Sequence, residues 1–398
     1  LRIPRIYNSI LANHYVENRQ IALLVGPRQV GKTSICKPLG VYLDFDNLDH
    51  RRLIVKGPEA VAEFLGLNQL RETKAVVIFD KLHKHAKWKS FLKGFFDTYE
   101  ERVQVAVTGS SRLDVWRKGG DSLMGRYFLY HVHPFSVGEL IRPKVNAEKL
   151  FASPEALPIA DWNALQEFGG FPEPFVKRDI RFANRWKTLR KQQLLREDVR
   201  ELARIHELSH LELLTQLLAK RSGGQLVHSH LAQDLQVSTD TIRRWVELLC
   251  NLHYGFVVRP WFKSVAKAIR KEPKWFLRDW SEVKDEGARF ETLIACHLIK
   301  AVETWNDLGM GIFELRYVRD KNRREVDFLL VQDQKPWILV EAKLSDTSLS
   351  PSLRYFKELL KAPHAFQVVC NEPFVKADPF LLKDCVIVPA QTFLSMLP

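Results

Sequence analysis

The chain has 398 residues, 60 Lys and Arg against 47 Asp and Glu, a formal charge of +13 and 46% apolar residues. That length holds two or three domains, and the composition excludes a collagen-like, disordered or membrane-embedded protein. The positive charge points to a nucleic-acid partner, DNA first, and says nothing about fold.

Five cysteines, Cys36, Cys250, Cys296, Cys370 and Cys385, lie far apart and form no CxxC pair. This argues against structural zinc and for a reducing compartment. No run reaches the roughly 18 apolar residues of a membrane span, so the expectation is a cytoplasmic protein.

In chain order, Ile21 to Val25 form an apolar run suited to a buried parallel strand. It leads into Gly26-Pro-Arg-Gln-Val-Gly31-Lys32-Thr33, a full GxxxxGK[ST] match between a strand and a helix that starts near Ser34. Glycines let backbone N–H groups turn toward phosphate oxygens, and the helix start adds its positive end. Lys32 reaches the β- and γ-phosphates and Thr33 offers a hydroxyl to Mg²⁺. Arg28, inside the loop, is a further basic candidate. The expected ligand is a nucleoside triphosphate, ATP in the favoured reading, with Mg²⁺.

Val41 to Phe45 read as a second strand. Val76 to Phe79 read as a third, with Asp80 at the C-terminal end, where such sheets place ligand groups. Asp80 can hold Mg²⁺ through water. The next residue is Lys81, where ATPases of this kind carry a glutamate. An ammonium cannot take a proton from the attacking water, so ATP binding with slow hydrolysis is expected. His83 and His85 are the nearby alternatives, and a local Asp80–Lys81 ion pair is the structural one. Val103 to Val107 read as a fourth strand, followed by Thr108-Gly-Ser-Ser, where Thr108 or Ser110 can sense the γ-phosphate. Arg126 is a candidate arginine finger, acting in cis or across the interface of a homo-oligomer.

The pattern turns helical from Asp161 to about Leu218, with a basic run between Lys177 and Arg204. Gln225 to Phe262 read as helix, turn, helix and strand, the layout of a winged helix, with Ser238 or Thr239 capping the second helix. Arg243 and Arg244 point outward from that helix, toward phosphate or base edges if DNA binds there.

The C-terminal third carries a second constellation. Glu291 lies on an amphipathic helix, Asp327 inside the strand Arg323 to Val331, and Glu341 and Lys343 two apart on the strand Trp337 to Lys343. A hairpin through Asp333 to Pro336 brings Asp327 beside Glu341. Two such carboxylates can hold Mg²⁺ or Mn²⁺, the lysine can steady a water or the developing phosphorane charge, and Glu291 can complete the site. The structural alternative is an Asp327–Lys343 ion pair.

Taken together these motifs resemble a large family of bacterial and archaeal AAA-type ATPases. The resemblance rests on Gly26 to Thr33, Phe79-Asp80, Thr108-Gly-Ser-Ser111, Gly125-Arg126-Tyr127, Pro134-Phe135-Ser136 with Glu139, Arg324-Glu-Val-Asp327 and Glu341-Ala-Lys343. It implies an α/β protein with a P-loop AAA-type parallel core (residues 1–145). A helical segment (146–222), a winged helix (223–272) and a C-terminal domain similar to the PD-(D/E)XK restriction nucleases (273–398) would follow. ATP binding and a role near DNA are what the resemblance implies for function. An ATP-gated metal-dependent nuclease and a nucleotide-sensing switch without DNA are the alternatives. The chain departs from the family pattern at Lys81 and in Trp280 to Lys284, after Asp279.

Overall fold

The computed structural model describes residues 3–109, 123–195, 208–262 and 272–398. Two compact units are present, one of residues 1–133 with 143–145, the other of residues 134–142 with 146–398.

The first unit is built on five strands: β1 (Ile21–Val25), β2 (Val41–Asp44), β3 (Ala75–Asp80), β4 (Val103–Thr108) and β5 (Tyr127–His131). All are parallel, in the order β2-β3-β4-β1-β5. Every residue of β1 is buried, as a strand covered on both faces requires. One face packs on the helix Trp88–Tyr99, whose Phe91, Leu92, Phe95 and Phe96 fall on a single side. Phe79 of β3 meets Phe91 and Phe95 edge-on, with both centroid distances 5.6 Å. The register decides the chemistry. Asp44 pairs with Asp80, Asp80 with Thr108 and Thr108 with Leu24, so the loop after β1 and the polar ends of β2, β3 and β4 share one sheet edge.

After the short helix Val137–Ile141, the second unit has helices Ile159–Phe168, Pro172–Lys177 and Ile180–Gln193, then Leu208–Lys220, His228–Leu235 and Thr239–Asn251. Gly169 (φ 78°) ends the first; a Cβ there would come within 2.7 Å of an Asp279 carboxylate oxygen. Ser238 caps the last helix, its Oγ accepting from the Thr241 N–H at 3.1 Å. Seven strands follow: β6 (Gly255–Pro260), β7 (Lys274–Leu277), β8 (Phe313–Arg319), β9 (Glu325–Gln332), β10 (Lys335–Lys343), β11 (His364–Val369) and β12 (Cys385–Pro389). They form one sheet in the order β12-β11-β10-β9-β8-β6-β7. The strand after the paired helices therefore pairs antiparallel with β7 and, at Arg259 and Pro260, parallel with β8. The helix Glu286–Asp307 is capped by Asp285 and buries Phe290, Leu293, Ile294, Leu298, Ala301 and Trp305 along one stripe.

The β9–β10 hairpin turns on Asp333 (φ 48°) and Gln334 (φ 66°), two left-handed residues as in a two-residue type I′ turn. That turn and a β-bulge between Pro336 and Ile338 together set Val340 opposite Phe328. The stretch Pro134-Phe135-Ser136 with Glu139 also gains a physical role. The buried Lys300 ammonium donates to Ser136 Oγ at 2.8 Å, to the Pro134 carbonyl at 3.3 Å and to the Glu139 carboxylate. No helix among the described residues is long and apolar enough to cross a membrane.

Candidate functional site

The loop after β1 is shaped by positive-φ backbone, glycine at two of its three such positions. Gly26 has φ 148°, and a Cβ on it would stand 2.2 Å from the Val132 carbonyl oxygen. Gly31 (φ 98°) and Gln29 (φ 62°) complete the curl. The helix behind it is short, Lys32–Cys36. Lys32 turns its ammonium onto the carbonyls of Gly26 and Pro27, both at 2.7 Å. Thr33 and Ser34 are exposed and Arg28 is half-buried at the loop crest.

Asp80 is the buried centre of this edge. Its Oδ1 accepts from Thr108 Oγ1 at 2.7 Å, and its Oδ2 accepts from Thr33 Oγ1 at 3.3 Å and from the Tyr42 hydroxyl. Burial raises the Tyr42 phenol and its hydrogen bond to Asp80 raises it further, so Tyr42 donates at any physiological pH. The sequence reading missed Tyr42; a tyrosine two residues before the end of β2 carries no signal until β2 is laid beside β3. The donor set fits the implied ligand. A glycine cradle, a lysine, and a threonine and aspartate in contact are what a triphosphate with Mg²⁺ requires.

Lys81 faces away from this carboxylate. Its backbone is left-handed (φ 57°), and its ammonium lies 3.3 Å from Asp44 Oδ2 and 3.0 Å from Asp46 Oδ2. The local pair considered from sequence, Lys81 with Asp80, is replaced by one with the end of the neighbouring strand. Burial pulls the Lys81 ammonium down, but the hydrogen bond to Asp46 and the charges of Asp44 and Asp46 outweigh it and hold the pKa above its usual value. His85 packs its ring on Phe45 and Phe91, at centroid distances of 5.6 and 6.3 Å. Arg126 makes a bidentate pair with Asp97, at 2.6 and 2.9 Å. Ser110 lies outside the described residues.

In the second unit the four residues singled out from sequence, Glu291, Asp327, Glu341 and Lys343, come together. They do so around a residue the sequence reading passed over, Lys274, the first residue of β7. Its ammonium, 4% exposed, lies 2.9 Å from Glu291 Oε1, 2.7 Å from Glu325 Oε1 and 3.2 Å from Asp327 Oδ1. Asp327 Oδ2 accepts from the Ala342 N–H at 3.0 Å. Lys343 pairs with Glu341 Oε1 at 2.9 Å and not with Asp327 as the structural alternative had it. Glu341 Oε2 is buried with no hydrogen-bond partner among the described residues.

Burial, with the Asp327 charge adding to it, pushes both Glu291 and Glu341 up to about 7. Burial works against the Lys274 charge, but Asp327, Glu291 and Glu325 outweigh it and raise its pKa. Lys274 was invisible as a site residue because a lysine next to Trp275 and Phe276 reads as a strand edge; only the sheet order carries it under Glu291 and β9.

Arg243 and Arg244 are exposed on the helix Thr239–Asn251, Arg243 tied to Asp240 at 2.9 Å and Arg244 to Thr241 Oγ1 at 3.3 Å.

Residues 18–141 match the AAA domain family. Residues 159–281 and 286–390 match two domains of unknown function, DUF8612 and DUF4143. The chain is similar to an uncharacterized protein of Methanocaldococcus jannaschii, 23% identical over 365 residues, 86% of this chain and 79% of that one. It is also similar to an uncharacterized protein of Mycobacterium tuberculosis, 22% identical over 259 residues, 65% of this chain and 54% of that one. Among solved structures, C. elegans PCH-2 aligns at a TM-score of 0.24 and 17% identity, over 33% of this chain and 41% of that one. The match to the AAA domain family thus falls on the sheet-and-loop unit, and the similar proteins are bacterial and archaeal.

Proposed function

We propose that this is an ATP–Mg²⁺-binding, DNA-associated AAA-type protein that hydrolyses ATP slowly. One observation carries the nucleotide reading: the Asp80 carboxylate is hydrogen-bonded to both Thr33 and Thr108, on the sheet edge that also holds the Gly26–Lys32 loop. In this reading Lys32 leaves the carbonyls of Gly26 and Pro27 for phosphate oxygens, and Thr33 and Asp80 hold the cation, Asp80 through water. The cation neutralises phosphate charge. Thr108 keeps Asp80 oriented and would sense the γ-phosphate. Slow turnover follows from Lys81, which leaves the position after Asp80 without a proton acceptor, its ammonium being tied to Asp44 and Asp46. Titration with a fluorescent ATP analogue tests this. Binding should require Mg²⁺ and weaken at least about tenfold in Lys32→Ala, a loss of about 1.4 kcal/mol; unchanged binding in that variant overturns the reading.

DNA association draws support from the formal charge of +13 and from the exposed Arg243 and Arg244 on a helix–turn–helix–strand arrangement. The second unit's C-terminal sheet is read as nuclease-like because Glu291, Asp327, Glu341 and Lys343 converge on its β9–β10 hairpin. Filter binding over a salt series tests the DNA part, since phosphate contacts must weaken as salt rises.

A further inference from the structure

A nuclease-like site implies a divalent cation between Asp327 and Glu341, and the chain's own residues at this place point elsewhere. An ammonium has three N–H donors. Lys274 aims its three at three different carboxylates, Glu291, Glu325 and Asp327. Its Nζ therefore marks the point on which those carboxylates converge. Mg²⁺ takes carboxylate oxygens at about 2.0–2.1 Å, so a metal using Asp327 Oδ1 would have to sit against a like charge 3.2 Å from that same oxygen.

Lys274 is also not a side chain free to swing aside. It is buried, its residue is paired with Val258 and bridged to Gln225, and the Tyr317 ring lies 5.7 Å from its Nζ. The remaining carboxylate positions have chain cations too: Glu325 has Arg319 at 3.0 Å and Glu341 has Lys343 at 2.9 Å. One buried acceptor is left over, Glu341 Oε2.

We propose that the Lys274 ammonium is the resident cation of this carboxylate cluster, so that the wild-type chain holds no Mg²⁺ or Mn²⁺ there. The cluster then works as a lock, tying β7, the helix Glu286–Asp307 and β9 to one charge. Removing that charge uncovers a latent cation site at the point its Nζ vacates, made of Glu291, Glu325 and Asp327. This inference concerns the second unit alone and does not depend on nucleotide binding.

The test is Mn²⁺ binding to the nucleotide-free full chain, followed by the electron paramagnetic resonance signal of free Mn²⁺. Asp327→Asn, which leaves the P-loop untouched, serves as the blank. Wild type should match that blank, and millimolar Mn²⁺ should leave its melting temperature unchanged. Lys274→Gln should gain one Mn²⁺ per chain, bound at least about tenfold tighter than any wild-type background, and lose it when Asp327→Asn is added. Lys274→Arg, which keeps the charge, should gain none.

Wild-type Mn²⁺ binding that Asp327→Asn abolishes overturns the proposal. So does a folded Lys274→Gln chain without a new site. Should Lys274→Gln fail to fold, the comparison of wild type with Asp327→Asn decides alone.

Discussion

Replacing Lys81 by glutamate tests the slow-hydrolysis reading, and the structure changes how that substitution should be made. Lys81 sits between two carboxylates, 3.3 Å from Asp44 and 3.0 Å from Asp46, with side chains 25–38% exposed. Each such half-exposed pair is worth about 0.2–1 kcal/mol. Lys81→Glu loses both and adds repulsion of similar size, a total of about 1–4 kcal/mol, or roughly 3–16 °C in the melting temperature of a unit this small. The same repulsion drives the new carboxylate off Asp44 and Asp46, toward the edge where Asp80 and Thr33 meet. Lys81→Glu with Asp46→Asn relieves half of the repulsion and should recover part of the stability while keeping the new base. The left-handed backbone at position 81 suits glutamate no worse than lysine, so it adds nothing to the difference. Steady-state phosphate release should rise about 10²–10⁴-fold in the double variant, with the affinity for an ATP analogue changed less than about threefold. Wild-type turnover already near about 1 s⁻¹, or a rise below about tenfold in a folded, ATP-binding variant, would refute the assignment of Lys81 as the obstacle.

Four further outcomes follow from the same contacts. Glu341 is raised from its ordinary 4.5 to about 7 on folding, so its contribution to stability is complete below pH 4.5 and is lost as pH rises through 7. Glu341→Gln should therefore gain on wild type between pH 5 and 8, by up to about 3 kcal/mol, and a pH-independent difference in melting curves would contradict this. Lys300→Met leaves the Glu139 carboxylate buried without its ammonium and should cost about 3–5 kcal/mol in urea unfolding, with much of it returned by adding Glu139→Leu. Asp97→Asn releases Arg126 from its bidentate partner. If Arg126 serves as a finger, phosphate release should increase in that variant, while an unchanged rate assigns the pair to structure. Arg243→Gln with Arg244→Gln should flatten the salt dependence of DNA binding, by a slope of roughly 0.9 per lost phosphate contact; an unchanged slope places the contact surface elsewhere.

Much of the candidate nucleotide edge was legible from sequence because its chemistry is local. Gly26 to Thr33 is a continuous stretch in which glycine spacing, lysine and threonine all serve one backbone curl, and an apolar run ending in Asp80 declares a strand end. The β9–β10 hairpin was legible in outline, as two apolar runs flanking a short polar turn, but the turn is Asp333 and Gln334 rather than Asp333 to Pro336, and a bulge between Pro336 and Ile338 shifts the register by one residue. The element order of the paired helices and the cap at Ser238 were readable in the same way.

What sequence could not supply is which side chains meet across non-adjacent strands and helices. Tyr42 reaches Asp80 only because β2 lies beside β3, and Lys81 turns to Asp44 and Asp46 for the same reason. Lys300 and Glu139 are 161 positions apart and share one buried pair. Lys274 stands 17 positions before Glu291 and 53 before Asp327, and its place under both depends on the pairing of β7, β6, β8 and β9. The sequence by itself determined the residue types and the periods that make strands, helices and the phosphate loop, because those depend on neighbours a few positions away. Only the tertiary structure decided which charge sits inside which set of carboxylates. A buried charge is tolerated only where distant partners converge on it, and that convergence is a property of the sheet order.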